Sequence, residues 1–408
     1  MRRPTLAERL AAGTLAWLAA AALALNLLRH GRKPGAPAGP GGSLSWGLVV
    51  AGAAALVLAW VVASLWSTNP DFIYHWGIKG HRFFLAGGID EAFLKKPWNR
   101  LSHPDYPFLQ PELFAVTAVL RGFFDEPAML LESALWCFLA AVAARQALLV
   151  GGASRFAAES GAAAVGLTLA MFSVAHRLAG GPDPILALVL TAAAAPFFAP
   201  VPAQDERRRI GAWDAQLAVA AAVAAAAKME GAPLAAFMLT AYGLRQGLWR
   251  RPWPLPRLAF LGGPLLIAVA PWWIQVQWLE LAGRANAGPF EWGHWAAIAP
   301  ELLSSLLHSH WHGLALMLFL TLPLVLLERR ARPLVLVCLA QLLLYVYVYF
   351  TALEAPEVHV RSSFTRVLCH VVPAWLTAAL LAFDVWVERR ASKQAQKAPT
   401  SARPQTLP

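Results

Sequence analysis

The residues of this 408-residue chain best suited to chemistry fall into a few short polar strings. One is Asn69-Pro70-Asp71-Phe72-Ile73-Tyr74-His75-Trp76, followed by Lys79, His81 and Arg82 and then by Ser102-His103-Pro104-Asp105-Tyr106-Pro107. Gly180-Gly181-Pro182-Asp183-Pro184 is the second, Lys228-Met229-Glu230-Gly231 the third, and His359-Val360-Arg361 through Arg366 the fourth. Each sets carboxylates or histidines near cations. A carboxylate can move a proton, a lysine supplies a compact charge, and an arginine offers a planar fork to two phosphate oxygens. Such a set suits acid/base work beside an anionic substrate group.

The elements that must position these strings are apolar. Of the chain 58% is hydrophobic and 14% charged, against roughly 25% charged in a soluble domain. Apolar stretches lie near 10–28, 44–66, 128–148, 160–178, 184–200, 211–227, 231–246, 258–278, 303–327, 333–352 and 367–387. In hydrocarbon each must be helical, because only an intrasegment ladder satisfies every backbone amide. The sequence therefore predicts an all-α polytopic membrane protein of about eleven transmembrane helices. Residues 67–127 form a long first extracytoplasmic loop with juxtamembrane helices, and 108–124 lies along the outer face rather than crossing it.

Residues 1–43 are expected to be an N-terminal helix, kept as an uncleaved span, and a basic cytoplasmic loop. The membrane domain covers 44–387, and 388–408 is expected to be a disordered cytoplasmic tail. Most of the 34 Lys and Arg then fall in the short segments 29–43, 145–159, 201–212, 245–257, 328–332 and 388–408, which places these in the cytoplasm. All four polar strings then share the extracytoplasmic face, where ionisable groups ordinarily line a polar cavity. The net charge of +11 reflects loop orientation and contact with membrane lipids, and does not indicate nucleic acid.

Every candidate has a structural explanation beside the functional one. Asp71 after Asn69-Pro70 fits a helix N-cap, and Asp183 between two prolines fits a turn. Lys228, Glu230 and Arg361 fit interfacial residues at helix ends. His308, His310 and His312 invite a metal site, but i and i+2 point apart on a helix and no acidic ligand stands at zinc-like spacing. The 18 tryptophans, Trp272, Trp273, Trp278, Trp292 and Trp295 among them, read as an interface belt, with Trp292 and Trp295 also able to stack on a sugar. Tyr345, Tyr347 and Tyr349 at spacing two read as packing. Cys137, Cys338 and Cys369 offer neither a disulfide framework nor zinc spacing. No nucleotide-binding loop, GxSxG elbow or HExxH motif occurs.

In order, the four strings resemble those of the GT-C superfamily of membrane glycosyltransferases, in bacterial members related to protein O-mannosyltransferases and lipid A aminoarabinose transferases. Residues 67–107 look like its first outer loop, with Asp71, Tyr74, Trp76, Lys79 and the string from His103 to Pro107. The turn at Asp183 is similar to its second acidic turn, and Lys228-Met229-Glu230-Gly231 to its Lys-x-Glu-Gly turn. Arg361 to Arg366, with His370 and Pro373, looks like a late motif. The likeness spans roughly 44–387 and is densest before 235. One departure is that Asp71 has no acidic neighbour.

The resemblance implies transfer of a sugar from a polyprenyl-phosphate carrier to a glycan, lipid or protein acceptor outside the cytoplasm, in the inner (plasma) membrane. Asp71 and Asp183 are then the catalytic candidates, with Asp71 as base. Tyr74, Trp76, Lys79, His103, Asp105, Tyr106, Lys228, Glu230, Arg361 and Arg366 bind substrate, the carrier phosphate falling to Lys228 and Arg361, and to Arg366. No cofactor is implied, since some members use a divalent ion and others none. The competing classes are a secondary transporter or flippase of lipid-linked saccharides, and an inactive relative that only binds the lipid-linked sugar. A transporter calls for mid-span charges and internal inverted repeats, and neither is found.

Overall fold

The computed structural model describes residues 45–65, 70–175, 178–201, 210–248, 255–281, 288–307, 313–352 and 355–397. Among them every regular element is helical. In chain order the α-helices are α1 (Trp46–Leu65), α2 (Gly77–Ala86), α3 (Glu91–Leu94), α4 (Leu109–Arg121), α5 (Glu126–Val150), α6 (Arg155–Ala175) and α7 (Asp183–Phe198). There follow α8 (Ala212–Ala227), α9 (Gly231–Gln246), α10 (Leu255–Trp278), α11 (Trp295–Leu306), α12 (Leu314–Leu320), α13 (Leu322–Leu327), α14 (Arg332–Phe350) and α15 (Pro356–Lys397).

Six of these, α1, α5, α6, α10, α14 and α15, are long and apolar enough to cross a membrane. The difference from the expected count of about eleven has physical causes. Helices α7, α8 and α9 have 16 residues each, a rise of about 24 Å against a hydrocarbon core of about 30 Å. The stretch 303–327 is not one span: α11, α12 and α13 divide it, with left-handed Gly313 opening α12 and Pro323 starting α13 after Thr321. The expected span at 10–28, the loop 29–43 and the histidines 308, 310 and 312 lie outside the described residues. Residues 388–397, expected to be disordered, continue α15 as helix to Lys397.

Helix α7 is the axis of the bundle, buried along all 16 residues and packed against α5, α8 and α15. Its run Ala192-Ala193-Ala194-Ala195 lets neighbours approach closely, the usual means of packing helices where lipid supplies no hydrophobic drive. Helices α1 and α10 are peripheral, with only 22% and 11% of their apolar windows buried. Large side chains such as Trp60, Ile267 and Ile274 face outward from them, as a lipid-facing surface requires.

Two polar clusters mark opposite ends of the bundle. At one, Ser154 donates from its backbone N and Oγ to Asp384, each at 2.7 Å. There Arg330 reaches the carbonyl of Gly151 at 2.6 Å, and Arg389 pairs with Glu328 at 3.1 Å. These segments overlap the basic loops grouped together from the charge pattern. The other end carries the polar strings.

Between α1 and α5 the segment expected to carry helices does so. A π-helical turn, Phe72–Trp76, leads into α2; α3, a 3-10 turn (Pro97–Ser102) and α4 follow. Helix α4, which covers most of the expected 108–124 segment, packs across α2: a Cβ added to Gly80 would lie 2.7 Å from the Cβ of Phe114. Phe72 and Phe114 meet edge to face at 5.4 Å. This packing anchors the π turn and, with it, Asp71.

Candidate functional site

The first three polar strings are delivered by helix starts or helix–helix turns, where backbone escapes the ladder and side chains point past the apolar bundle, and the fourth lies within α15. Asp71 caps the π turn, where the i→i+5 bond from Gly77 N to Phe72 O widens the helix. Such turns are rare and recur at functional positions. Asp183 opens α7, its turn closed by Gly180 with φ +82. A Cβ on Gly180 would stand 2.5 Å from the Phe72 ring, so this turn and the π turn can touch only through a glycine. Lys228 is the extended C-cap of α8 and Glu230 precedes α9. Arg366 and His370 lie one helical turn apart on α15 and so share its inner face.

These positions, widely separated in sequence, meet. Arg366 bonds Asp71 through Nη1 to Oδ2, and His75 Nε2 is 3.9 Å from the same carboxylate. Lys228 Nζ lies 3.0 Å from Asp183 Oδ1 and 3.3 Å from Glu230 Oε1. His370 Nε2 reaches Asp183 Oδ1 at 2.7 Å. Burial opposes the charge on Lys228, but Asp183 and Glu230 more than offset it and hold its pKa above the ordinary lysine range. Removing one partner of a buried pair of this kind costs about 3–5 kcal/mol.

Beside this network is a cavity of about 200 Å³, well beyond the ~15 Å³ that one water demands. Asp71, His75, Lys228, Glu230 and Arg366 line it, with Trp76, His103, Tyr106, Tyr345, Tyr349 and His359 forming aromatic walls. Among the described residues, Glu230 Oε2 and Arg366 Nε are enclosed polar atoms with no hydrogen-bond partner. An acceptor and a donor are thus left for a ligand.

Several expected site residues are elsewhere. Arg361 is outside the cavity: its side chain is 67% exposed and paired with Glu301 at 2.6 Å. It sits five residues before Arg366, half a helical turn out of phase, so the helix carries it to another face. Asp183 does not line the cavity either; 2% exposed, it stands behind the wall holding Lys228 and His370. Tyr74 points outward at 63% exposure.

Lys79 and Asp105 are supports for the first-loop wall. Lys79 is fully buried, donates to the carbonyl of His103 at 3.0 Å and lies 4.6 Å from the Trp76 ring centroid. Burial pushes its pKa down to about 7, with Asp105 opposing the shift. The carbonyl of Asp105 accepts from Trp272 Nε1 at 3.0 Å. His103 itself has φ +48 immediately before Pro104, a conformation that a bulky residue ahead of proline resists. It is held by the Lys79 bond and by ring contacts to Tyr106 and His75 at 4.5 and 5.0 Å. Burial, then His75, push its pKa down to about 4.

Lining residues to which the sequence reading gave no role of their own are His75, His359 and Ser363, within the polar strings, and Tyr345 and Tyr349, read as packing. The tyrosines carried a usable signal: Tyr345 and Tyr349 are i and i+4, so they share a face, whereas Tyr347 between them is 53% exposed. Trp292 and Trp295 are exposed at 76% and 53% and lie outside the cavity. The three cysteines are buried and unpaired. Among the described residues, no group of three His, Cys, Asp or Glu side chains is arranged to hold a metal ion.

The class defined by fold and site is an all-helical protein with helices suited to a membrane and a polar, charge-lined cavity at one end of the bundle. Comparison of the chain with protein-family models, curated proteins and solved structures finds no match.

Proposed function

We propose that the chain is a GT-C-like membrane glycosyltransferase that moves a sugar from a polyprenyl-phosphate donor to an extracytoplasmic acceptor. The observation that carries the reading is the cavity in which Asp71, Glu230, Lys228 and Arg366 converge from three separate chain segments. Two cations within one hollow suit a lipid-borne phosphate, and carboxylates beside them suit an acceptor that must lose a proton.

In this reading Lys228 holds the carrier phosphate, Arg366 supplies a second donor through Nε and aligns Asp71, and Asp71 is the base. Glu230 faces sugar or acceptor hydroxyls through Oε2. The aromatic walls formed by Trp76, Tyr106 and Tyr349 give a sugar apolar faces to lie against. The short helices α7 to α9 complete a polytopic domain with α1 and the long spans, and the cavity end faces away from the cytoplasm.

The test is mass spectrometry of surface glycans and glycolipids from cells with and without the protein. Asp71→Asn should lower transfer about 100-fold or more at unchanged membrane abundance and unchanged carrier binding. Full activity in that variant removes Asp71 as base. Unchanged glycans and glycolipids on deleting the protein remove the transferase reading.

A further inference from the structure

Behind the cavity wall runs a hydrogen-bonded chain that the ion pairs do not account for. Tyr345 lines the cavity and sets its hydroxyl 2.5 Å from His370 Nδ1. His370, fully buried, reaches Asp183 Oδ1 through Nε2 at 2.7 Å. Gln341 Nε2 fixes the phenol from the other side, donating to its oxygen at 2.8 Å and to the carbonyl of Glu230 at 3.2 Å.

The donor and acceptor inventory allows this chain two states. A carboxylate gripped by Lys228 only accepts, so His370 Nε2 carries a hydrogen. With neutral His370, Nδ1 accepts from Tyr345; the phenol spends its one hydrogen inward and shows the cavity a lone pair. With His370 protonated, Nδ1 donates; the phenol oxygen then takes hydrogens from His370 and Gln341 and turns its own toward the cavity. One proton on His370 therefore converts the cavity face of Tyr345 from acceptor to donor.

We propose that Tyr345, His370 and Asp183 form a proton relay that takes up one proton when the sugar-bearing carrier phosphodiester occupies the cavity and hands it to the carrier phosphate during transfer. The proposal rests on the carrier-phosphate reading above. Phosphate oxygens require donors, and the site already holds three carboxylates, Asp71, Asp183 and Glu230, against the two cations Lys228 and Arg366. A further anion is best received with a proton, and the monoester that departs, with its second ionisation near 6, can keep the proton handed to it. Asp183 is a positioning residue here: it sets the histidine tautomer and stabilises the imidazolium, the arrangement of a carboxylate–histidine pair in hydrolases.

In transfer, the bond between the anomeric carbon and the phosphate oxygen breaks and its electron pair stays on that oxygen. The oxygen takes the Tyr345 hydrogen, the Nδ1 hydrogen of His370 passes to Tyr345, and His370 returns to neutral. The acceptor forms its bond to the anomeric carbon and loses its proton to Asp71. The proton loaded from solvent thus leaves on phosphate and the acceptor's proton returns to solvent through Asp71. The charged or titratable groups near His370 are Asp183 from α7, Lys228 and Glu230 from the α8–α9 turn, Tyr345 from α14, and Arg366 and Cys369 on α15.

The full chain in lipid nanodiscs, titrated with farnesyl methyl phosphate, a phosphodiester like the donor, tests this. Calorimetry near pH 7.5 in buffers of different ionisation enthalpy should show uptake of about one proton per farnesyl methyl phosphate bound. Nitrogen NMR of labelled histidine should show His370, assigned from the His370→Gln spectrum, passing from the neutral Nε2–H form to imidazolium. Tyr345→Phe, which keeps the ring, should still bind farnesyl methyl phosphate while proton uptake falls to near zero. Binding with no protonation of His370, or an equal response in Tyr345→Phe, overturns the relay and leaves the carrier reading standing. No binding of farnesyl methyl phosphate overturns both.

Discussion

Arg361 and Arg366 show how little residue type decides without phase. Both are cations in one short string, but Arg366 enters the cavity and bonds Asp71, whereas Arg361 meets Glu301 on the exposed side. Arg366→Ala should lower transfer about 100-fold or more, the usual loss when one preorganised donor is removed from a site. Arg361→Ala should leave it within about twofold, since its exposed pair with Glu301 lies outside the cavity. Equal losses in the same glycolipid measurement would contradict this assignment of the phosphate donor.

Burial also sets a pH dependence in the first-loop wall. His103 is pushed down to about 4 and Lys79 to about 7, so the unfolded chain binds more protons in both windows and stability rises with pH through each. The His103 contribution is complete above its ordinary value of 6.5, declines as pH falls toward 4 and is constant below. The Lys79 contribution grows from about 7 to 10.5. Thermal unfolding in nanodiscs should therefore show a midpoint that drops on acidification from pH 7 to 4. His103→Asn, which tolerates the left-handed backbone, should flatten that slope. An unchanged slope would locate the acid sensitivity elsewhere.

At the scale of elements, the site depends on turns that admit no side chain. A Cβ on Gly231 would lie 1.7 Å from the carbonyl of Ala224, so α8 and α9 close into a hairpin only with glycine there. Gly231→Ala should push the helices apart, displace Lys228 and Glu230, and lower thermal stability, by more than the roughly 1 kcal/mol of an ordinary glycine substitution. Gly180→Ala should act similarly through Phe72 and Asp71. Binding of farnesyl methyl phosphate should weaken in both variants before secondary structure is lost, as helical circular dichroism alongside calorimetry would show. Retention of full binding by Gly231→Ala would mean that the hairpin does not set the spacing of Lys228 and Glu230.

For the whole molecule, polar strings gather at one end and the contacts of Asp384, Glu328 and Arg330 at the other. Lys96, exposed near the first end, and Ser392, exposed near the second, should therefore label from opposite sides of the membrane when changed to cysteine. The native cysteines are buried and give a silent background. Labelling of both from one side would break the proposed orientation.

Much of the architecture was legible from composition alone. Low charge and long apolar runs dictate helices, because hydrocarbon offers no other partner to a backbone amide. The polar turns announced themselves by interrupting those runs. What the sequence left open is a matter of distance and phase. Apolar length could not show that α7, α8 and α9 stop at 16 residues each, nor that Gly313 and Pro323 divide 303–327. Chemistry-bearing residue types were visible at Asp71, Lys228, Glu230 and Arg366. The role of Tyr345 depended on His370, 25 residues further on, and that of His370 on Asp183, 187 residues back. Hydrogen bonds act over about 3 Å, and only packing around α7 brings such distant residues within that reach.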